Sequence, residues 1–442
     1  MKFLSFSLLV ALSVSVPARL AAQGNPAVHG ANERFKADIL VVVAHPDDEA
    51  FFTPYLARAI NDMHKRVAVV FSTRGGSGAN HDARERGPAL ANEREIEARE
   101  ACAKLGISKV WFMDGKDTAT QDVLDSLADW GHGANLERMV GLIRLTRPEV
   151  VFTHFPGLFI GENHGDHQAT GVLVTEAFDL AANPIVFPSQ LAGDTKQHES
   201  YLSNLQTWQP KKIYYGSDAD DFKQFAGSGP AYSVREISPT LKKPYWRLAL
   251  DSAMAHRTQF PDDIERISKM SVVGGAPTDD VFANIKPGSV FREGVARKQS
   301  EHNAVPRTEV VLGGPWLYYA QFRAAHGLEN LPQAGTPEIG VKAGSTLLVP
   351  LVIYHAVPSE ALKVNLKIET PGGWKVVSGQ GEFELPAESS TTLRVEIETP
   401  ALSAEELKKT VAQEVTVHAE ANGKSIGDVK LRVLLRTNAL QQ

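Results

Sequence analysis

The stretch Ile39-Leu40-Val41-Val42-Val43-Ala44-His45-Pro46-Asp47-Asp48-Glu49 joins an uninterrupted apolar run directly to one imidazole and three carboxyl groups. The apolar run, residues 39–44, is short and rich in valine, which is typical of a parallel strand buried on both faces. Residues 45–49 then fall at the carboxyl end of that strand, where open α/β sheets place their ligand sites. The stretch therefore predicts an α/β fold with a functional site at the edge of its sheet.

Further strands and helices alternate along the chain after this first strand. Single helices between strands favour right-handed crossovers and a mostly parallel sheet with helices on its faces. Between residues 183 and 248 the pattern weakens, and we interpret this part as insertions and loops over the site, followed by a short helix at 249–258. The predicted strands are 39–44, 67–72, 110–113, 150–153 and 213–215, and the predicted helices are 50–63, 88–105, 135–146 and 166–182.

The composition changes again after residues 334–337, where short strand-like runs are separated by Gly and Pro. This pattern predicts an all-β sandwich over residues 338–442, in which Trp374 is a core residue. Because this part has no cluster of His, Asp and Glu, we do not expect it to carry out chemistry. Its predicted strands are 347–354, 362–369, 374–377, 392–398, 414–419 and 429–435.

The amino terminus is typical of an export signal. Lys2 precedes an apolar stretch at residues 3–16 and a mostly small-residue region, so residues 1–22 are predicted to be a signal peptide. Cleavage would follow Ala18 or Ala22. The apolar stretch is short for a membrane span, which needs about 20 residues. We therefore expect a periplasmic or extracellular protein without a transmembrane segment.

Charge and cysteine content narrow the class of protein further. The 442 residues carry a net charge of -6 with no basic block, which argues against a nucleic-acid binder. Cys102 is the only cysteine, so no intrachain disulfide can form and the core must hold the fold.

A second polar cluster, His164-Gly165-Asp166-His167, lies where a later helix begins. His45, Asp48 and His167 can supply two imidazoles and one carboxylate to a catalytic zinc, which commonly has three protein ligands and an open position for water. Asp47 can then act as general base, and His164 can protonate the leaving amine or stabilise the oxyanion. The alternative is that the carboxylates only cap helix N-termini. Ferrous iron would suit the same ligands as zinc.

Six stretches together resemble the PIG-L/LmbE family of zinc-dependent de-N-acetylases. The two most specific are the His-Pro-Asp-Asp-Glu after the first strand and the later His-x-Asp-His. Weaker similarities lie at residues 72–76, in the helix from Arg94 to Gly106, at Thr153-His154 and at residues 255–259. Some family members have a tyrosine shortly before the His-x-Asp-His that helps to bind the oxyanion, whereas Gly161-Glu162-Asn163 stands there in this chain.

The resemblance implies a Rossmann-like fold, an N-acetylated sugar as substrate, and roles for the clustered residues. It implies His45, Asp48 and His167 as zinc ligands, Asp47 as the general base and His164 as the electrophilic or acid group. These roles agree with those assigned from the residues alone.

Other residues are predicted to contact the substrate or to support the metal ligands. On the resemblance alone, His256 and Gln259 would face the cleft. Arg74 could bind a substrate hydroxyl, although an arginine that closes a strand is commonly an ion-pair partner at the surface. His154 and Asp166 would lie in the second coordination layer, unless His154 is merely buried and Asp166 merely caps a helix.

The sequence thus predicts an exported zinc-dependent deacetylase of an N-acetylglucosamine-type sugar. We expect a PIG-L/LmbE-like domain at 37–333, with its core at 37–182 and insertions at 183–333, and an immunoglobulin-like sandwich at 338–442 that could contact a glycan or the cell envelope. One alternative is an amidase that cleaves a larger amide, such as a thiol conjugate, with the same metal centre. Another is a catalytically silent glycan-binding protein.

Overall fold

A computed structural model of the protein describes eight segments of the chain. The predicted signal peptide and Gly161-Glu162-Asn163 lie outside them. Within the described segments, no helix is both long and apolar enough to cross a membrane. The described residues are 32–157, 164–192, 200–216, 233–259, 290–293, 308–329, 336–355 and 361–437.

The first sheet has six strands in the order β3-β2-β1-β4-β5-β6. The first five of these run parallel, as predicted, and β6 adds an antiparallel edge. All five residues of β1 are buried, as expected of a valine-rich strand with helices on both faces. The strands are β1 (Ile39–Val43), β2 (Val67–Phe71), β3 (Lys109–Phe112), β4 (Val150–His154), β5 (Lys212–Gly216) and β6 (Val290–Glu293).

Seven of the described helices accompany this part of the chain. The four long predicted helices are confirmed, although the first begins as a 3-10 turn at Asp48–Phe51. Two helices were not predicted, at Val123–Asp129 and Gly314–Ala325, and the predicted helix at 249–258 lies earlier. They are α1 (Thr53–Asn61), α2 (Pro88–Lys104), α3 (Val123–Asp129), α4 (His132–Thr146), α5 (Gly165–Leu180), α6 (Tyr245–Ala253) and α7 (Gly314–Ala325).

Alternate residues of β1 enter two separate cores. Leu40 and Val42 pack in one cluster with residues of α3, α4, α5 and α7. Val41 and Val43 pack in another with residues of α1, α2 and α6. Since successive side chains of a strand point to opposite faces, the sheet is a layer between two layers of helices. This is the predicted Rossmann-like fold, and its strand order reverses between β1 and β4, where such folds bind their ligands.

The remaining strands form two sheets, one ordered β12-β10-β14-β15-β8 and the other β11-β13-β9-β7. Strand β10 alternates buried and exposed residues, as expected for a sheet with one face on a core, and Trp374 is buried in that core. The strands are β7 (Thr308–Leu312), β8 (Glu338–Lys342), β9 (Thr346–His355), β10 (Leu362–Glu369), β11 (Lys375–Ser378), β12 (Gly381–Leu385), β13 (Ser389–Glu398), β14 (Gln413–Ala421) and β15 (Lys424–Arg436). A short helix, α8 (Ala404–Leu407), joins β13 to β14.

The sandwich does not begin at the predicted boundary of residue 338. Strand β7, at Thr308–Leu312, pairs antiparallel with β9 and so belongs to the four-stranded sheet. Its buried Val310 and Leu312 contribute to the core of the sandwich. The sequence did not predict this strand, because its run Thr-Glu-Val-Val-Leu directly follows a Gly- and Pro-rich stretch.

Arg144 on α4 is fully buried and holds the segment that follows α5. Within the described part of the chain its guanidinium has no carboxylate partner, and it donates instead to five oxygens, which suits a planar group with five N–H donors. The acceptors are the carbonyls of Ala181, Asn183, Val186 and Phe187 and the side chain of Gln190.

We expect Arg144→Met to lower the free energy of unfolding by about 3 kcal/mol or more, because it leaves several buried acceptors without donors. Urea unfolding measures this loss. Arg99→Met is the control, because Arg99 is half exposed and pairs with Glu95 on the same helix. Equal small losses in both variants would contradict this role of Arg144.

Candidate metal centre

Three side chains converge at the carboxyl end of β1. His45 follows that strand, Asp48 begins the 3-10 turn after it, and His167 lies in the first turn of α5. His45 Nδ1 is 3.2 Å from His167 Nε2 and 3.4 Å from Asp48 Oδ2, and His167 Nε2 is 3.4 Å from Asp48 Oδ1. Ligands bound tetrahedrally to zinc at about 2.0–2.1 Å lie about 3.3 Å from one another. The three predicted ligands therefore have the spacing that a single zinc ion requires.

The other nitrogen of His45 faces a second pair of carboxylates. Nε2 is 3.0 Å from Asp117 Oδ1 and 3.5 Å from Asp166 Oδ2. Thr118 fixes Asp166 by donating its backbone N–H and its hydroxyl to the two carboxylate oxygens, each at 2.8 Å. A metal-binding histidine commonly donates its second N–H to such a carboxylate, which sets the orientation of the ring. Asp166 thus lies where the sequence predicted it.

Asp117 was not predicted as a site residue. It lies five residues after the end of β3 (Lys109–Phe112), on the loop that crosses to the start of α5. Its position beyond the carboxyl end of a predicted parallel strand was the signal that could have found it. Asp117, Asp166, His45 and His164 also lie close enough to form a second cluster of metal-ligand type, which shares His45 with the first.

The electrostatics of the cluster favour a cation. Burial acts to raise the pKa of Asp48, but the neighbouring His167, His154 and His45 hold it well below its usual value. Burial acts to lower the pKa of His45, yet Asp117 and the other carboxylates raise it well above its usual value. Buried carboxylates outnumber the permanent cations around the site, so a bound dication would balance the charge.

His154, at the end of β4, supports the ligands from behind. It is buried, and its ring stacks on that of His167 with the centroids 4.3 Å apart. Its Nε2 accepts the backbone N–H of Ala44 at 3.2 Å and lies 3.2 Å from Asp48 Oδ2. The structure therefore places His154 against two of the predicted ligands, His167 and Asp48.

Asp47 has a backbone conformation that is rare for a residue with a side chain, with φ of 121°. Arg94 on α2 holds this turn by donating to the carbonyls of Pro46 and Gly75 at 2.7 and 2.8 Å and to Asp47 Oδ1 at 3.2 Å. Burial raises the pKa of Asp47 to about 6, against the opposing effect of Arg94 and with an added contribution from Asp48. A carboxylate with a pKa in this range can both accept and release a proton near neutral pH.

His164 is the N-cap of α5, and its Nδ1 accepts the backbone N–H of Asp166 at 3.2 Å. A neutral imidazole that accepts at Nδ1 carries its hydrogen on Nε2. The ring lies 4.7 Å from that of His45 and 4.8 Å from that of His167, measured between centroids. His164 can therefore present an N–H beside the ligand triangle.

Comparison with known proteins identifies the domain that carries this cluster. Residues 40–178 match the family model of the GlcNAc-PI de-N-acetylases, which is called PIG-L. This part of the chain is a PIG-L domain.

Relatives of known name resemble more of the chain. The 1D-myo-inositol 2-acetamido-2-deoxy-alpha-D-glucopyranoside deacetylase of Thermobifida fusca is 26% identical over 249 residues, which are 50% of this chain and 82% of that protein. The diacetylchitobiose deacetylase of Thermococcus kodakarensis is 26% identical over 229 residues, 51% of this chain and 71% of that protein. The solved structure of an N,N'-diacetylchitobiose deacetylase from Pyrococcus horikoshii aligns with 61% of this chain over 89% of its own length, with 19% identity and a TM-score of 0.42. The chain is therefore an enzyme that hydrolyses amide bonds and carries a PIG-L domain.

His256, which the resemblance implied would face the cleft, has a side chain with no exposed surface in this structure. Its Nε2 lies 2.6 Å from Glu49 Oε1, and Glu49 Oε2 accepts the backbone N–H of Asp47 at 3.0 Å. Glu49, which the sequence suggested only as the start of a helix, is itself buried. His256 and Glu49 therefore support the turn that carries Asp47.

The structure connects the two other predicted substrate residues to neighbouring protein groups. Arg74 is half exposed, and its Nε lies 3.3 Å from Glu95 on α2. Gln259 donates to the carbonyl of Ala79 at 3.1 Å and to the hydroxyl of Thr258 at 3.0 Å. Arg74 thus forms a surface ion pair, which was the alternative to substrate binding. Gln259 is hydrogen-bonded to the glycine-rich loop after β2.

We expect Arg94→Met to move the acid limb of the pH profile of kcat/KM upward by about one pH unit, because Arg94 lowers the pKa of Asp47, the predicted base. A base acts in its deprotonated form, so a higher pKa shifts the loss of activity to higher pH. Arg94→Lys keeps the charge and should shift the limb less while lowering kcat. An unchanged limb in the methionine variant would contradict the assignment.

Proposed function

We propose that this protein is an exported, zinc-dependent deacetylase of an N-acetylglucosamine-type sugar. The observation that carries the proposal is the triangle of ligand atoms from His45, Asp48 and His167, with separations of 3.2 to 3.4 Å, next to the base Asp47. The relatives reported above are named as deacetylases of acetamido sugars, which supports the choice of substrate class.

Two imidazoles and one carboxylate suit zinc, and they also suit ferrous iron. His45, Asp48 and His167 would hold the ion. When bound, it supplies Lewis-acid activation of water and of the acetyl carbonyl. Zinc is the proposed metal because such three-ligand sets are common in hydrolytic zinc sites.

Asp47 moves the protons in the proposed reaction. It takes one proton from the attacking water while the water oxygen bonds to the acetyl carbonyl carbon. It then returns that proton to the amine nitrogen as the C–N bond breaks, so that acetate and a free amine leave. A pKa of about 6 suits both transfers at neutral pH.

His164 stabilises the negative charge that develops on the carbonyl oxygen. Its Nδ1 accepts the Asp166 N–H, so the neutral ring carries its hydrogen on Nε2, and a prepositioned donor is worth most where charge appears in the transition state. A neutral imidazole is a hydrogen-bond donor and not the acid for amine departure. We therefore favour the electrophilic role over the acid role that the sequence left open.

The proposal of export rests on residues 1–22 alone. We also propose that the C-terminal sandwich contacts a glycan. Mass spectrometry of the protein made in its native cell should find an amino terminus at Arg19 or Gln23. A mature protein that still begins at Met1 would contradict export.

The division of roles is tested by two variants of the zinc-loaded protein. Asp47→Asn should retain stoichiometric zinc and lose acetate release from N-acetylglucosamine by a factor of about 10² or more, because only the base is removed. His167→Ala should lose both zinc and activity. Asp62→Asn is a surface control, because Asp62 bonds Ser238, Thr240 and Tyr245 away from the cluster.

A fully active Asp47→Asn would overturn the scheme. Acetate released only from larger amides or thiol conjugates would favour an amidase. Absence of bound metal and of hydrolysis, together with retention on a glycan column, would favour a silent glycan-binding protein.

A further inference from the structure

A cleft of about 270 Å³ lies between the PIG-L domain and the C-terminal sandwich. We call it the interdomain cleft. On the side of the PIG-L domain it is lined by the loop at residues 117–122, through Thr120, Gln121 and Asp122. On the other side it is lined by residues of α7 and of the sandwich, among them Trp316 and Leu348.

The loop that lines the cleft also belongs to the metal site. At its start, Asp117 lies 3.0 Å from the metal ligand His45, and Thr118 fixes Asp166. Two residues later, the carbonyl of Thr120 accepts the backbone N–H of Gly165, the first residue of α5, at 2.8 Å. The wall of the cleft is therefore separated from the metal ligands by only a few residues of one fastened loop.

The two walls of the cleft are held to one another by a paired hydrogen bond. The carboxamide of Gln121 donates to the carbonyl of Gly340 at 3.2 Å and accepts its N–H at 2.9 Å. Gln121 thus bonds to the edge of β8 in the way that a neighbouring strand would. A Cβ added at Gly340 would lie 3.1 Å from Arg436 Nε and 3.2 Å from Gln121 Nε2, so a side chain there would crowd this contact. A site with walls fixed before binding loses less entropy when it is occupied.

The chemistry of the two walls differs. The sandwich side presents an indole and apolar side chains, from Trp316, Leu348 and Pro350, together with Glu338, which pairs with Arg432, whereas the loop side presents the polar groups of Gln121 and Asp122. A sugar ring has the matching character, because its C–H face is apolar and packs on an aromatic ring while its hydroxyls lie around the edge. Pockets of this kind combine apolar walls with a few polar groups that fix orientation.

We propose that the interdomain cleft is a second subsite of the enzyme, and that it holds the sugar ring attached to the acetylated ring at the metal site. This inference rests on the proposed function, since it assumes an acetylated sugar at the metal. It gives the C-terminal sandwich a role in choosing longer substrates. The sequence alone assigned no chemistry to that part of the chain.

Leu348 provides the test, because its side chain lines the cleft and is 45% exposed, so that a polar substitution there spares the core. Trp316 packs partly against the core of the sandwich and is a poorer choice. Val377 is the matched control, because it lies on β11 of the same sheet, is 48% exposed and is not among the residues that line the cleft.

The experiment compares acetate release by the full-length, zinc-loaded protein from N-acetylglucosamine and from its chitin disaccharide. In Leu348→Asp we expect kcat/KM for the disaccharide to fall by about tenfold through a higher KM, with the monosaccharide unchanged within about twofold. Val377→Asp should leave both substrates unchanged. Circular dichroism checks that both variants remain folded.

Two results would overturn the proposal in distinguishable ways. If the unmodified protein releases acetate from both sugars but Leu348→Asp treats them as the control does, the subsite is wrong and the proposed function stands. If the unmodified protein releases acetate from neither sugar, the proposed function fails and the subsite fails with it.

Discussion

The imidazole of His45 is the contact on which the rest of the site depends. Its Nδ1 faces Asp48 and His167, and its Nε2 faces Asp117 and Asp166. The groups that surround this buried ring come from the turn after β1, from α5 and from the loop after β3. The one ring therefore fixes three separate parts of the chain relative to each other, and the spacing of the metal ligands follows from it.

The turn that carries Asp47 is costly and is held from several directions. A φ of 121° is unfavourable for an aspartate and persists only where the surroundings enforce it. Arg94 donates to the carbonyls of Pro46 and Gly75, while Glu49 accepts the Asp47 N–H and lies 2.6 Å from His256. These supports come from α2 and from the loop after α6, so distant parts of the chain position one carboxylate beside the predicted metal ligands.

The sequence predicted what depends on neighbouring residues and missed what depends on the fold. The valine-rich run before His45 marks both a buried strand and its carboxyl end, so the first cluster was visible. The role of Asp117 could not be predicted, because Asp117 approaches His45 only once the loop after β3 packs against the start of α5. The burial of His256 could not be predicted either, because a motif does not show which of its side chains are buried. Strand β8 (Glu338–Lys342) was missed because five residues at the start of the sandwich carry too short a pattern.

The structure offers the metal two places, one on each nitrogen of His45, and the account depends on the first. Anomalous diffraction at the zinc edge from crystals of the zinc-loaded protein decides between them. We predict one peak at about 2.0–2.1 Å from His45 Nδ1, from His167 Nε2 and from an oxygen of Asp48. A peak on the other side of the ring, bound by His45 Nε2, Asp117 and Asp166, would contradict the account.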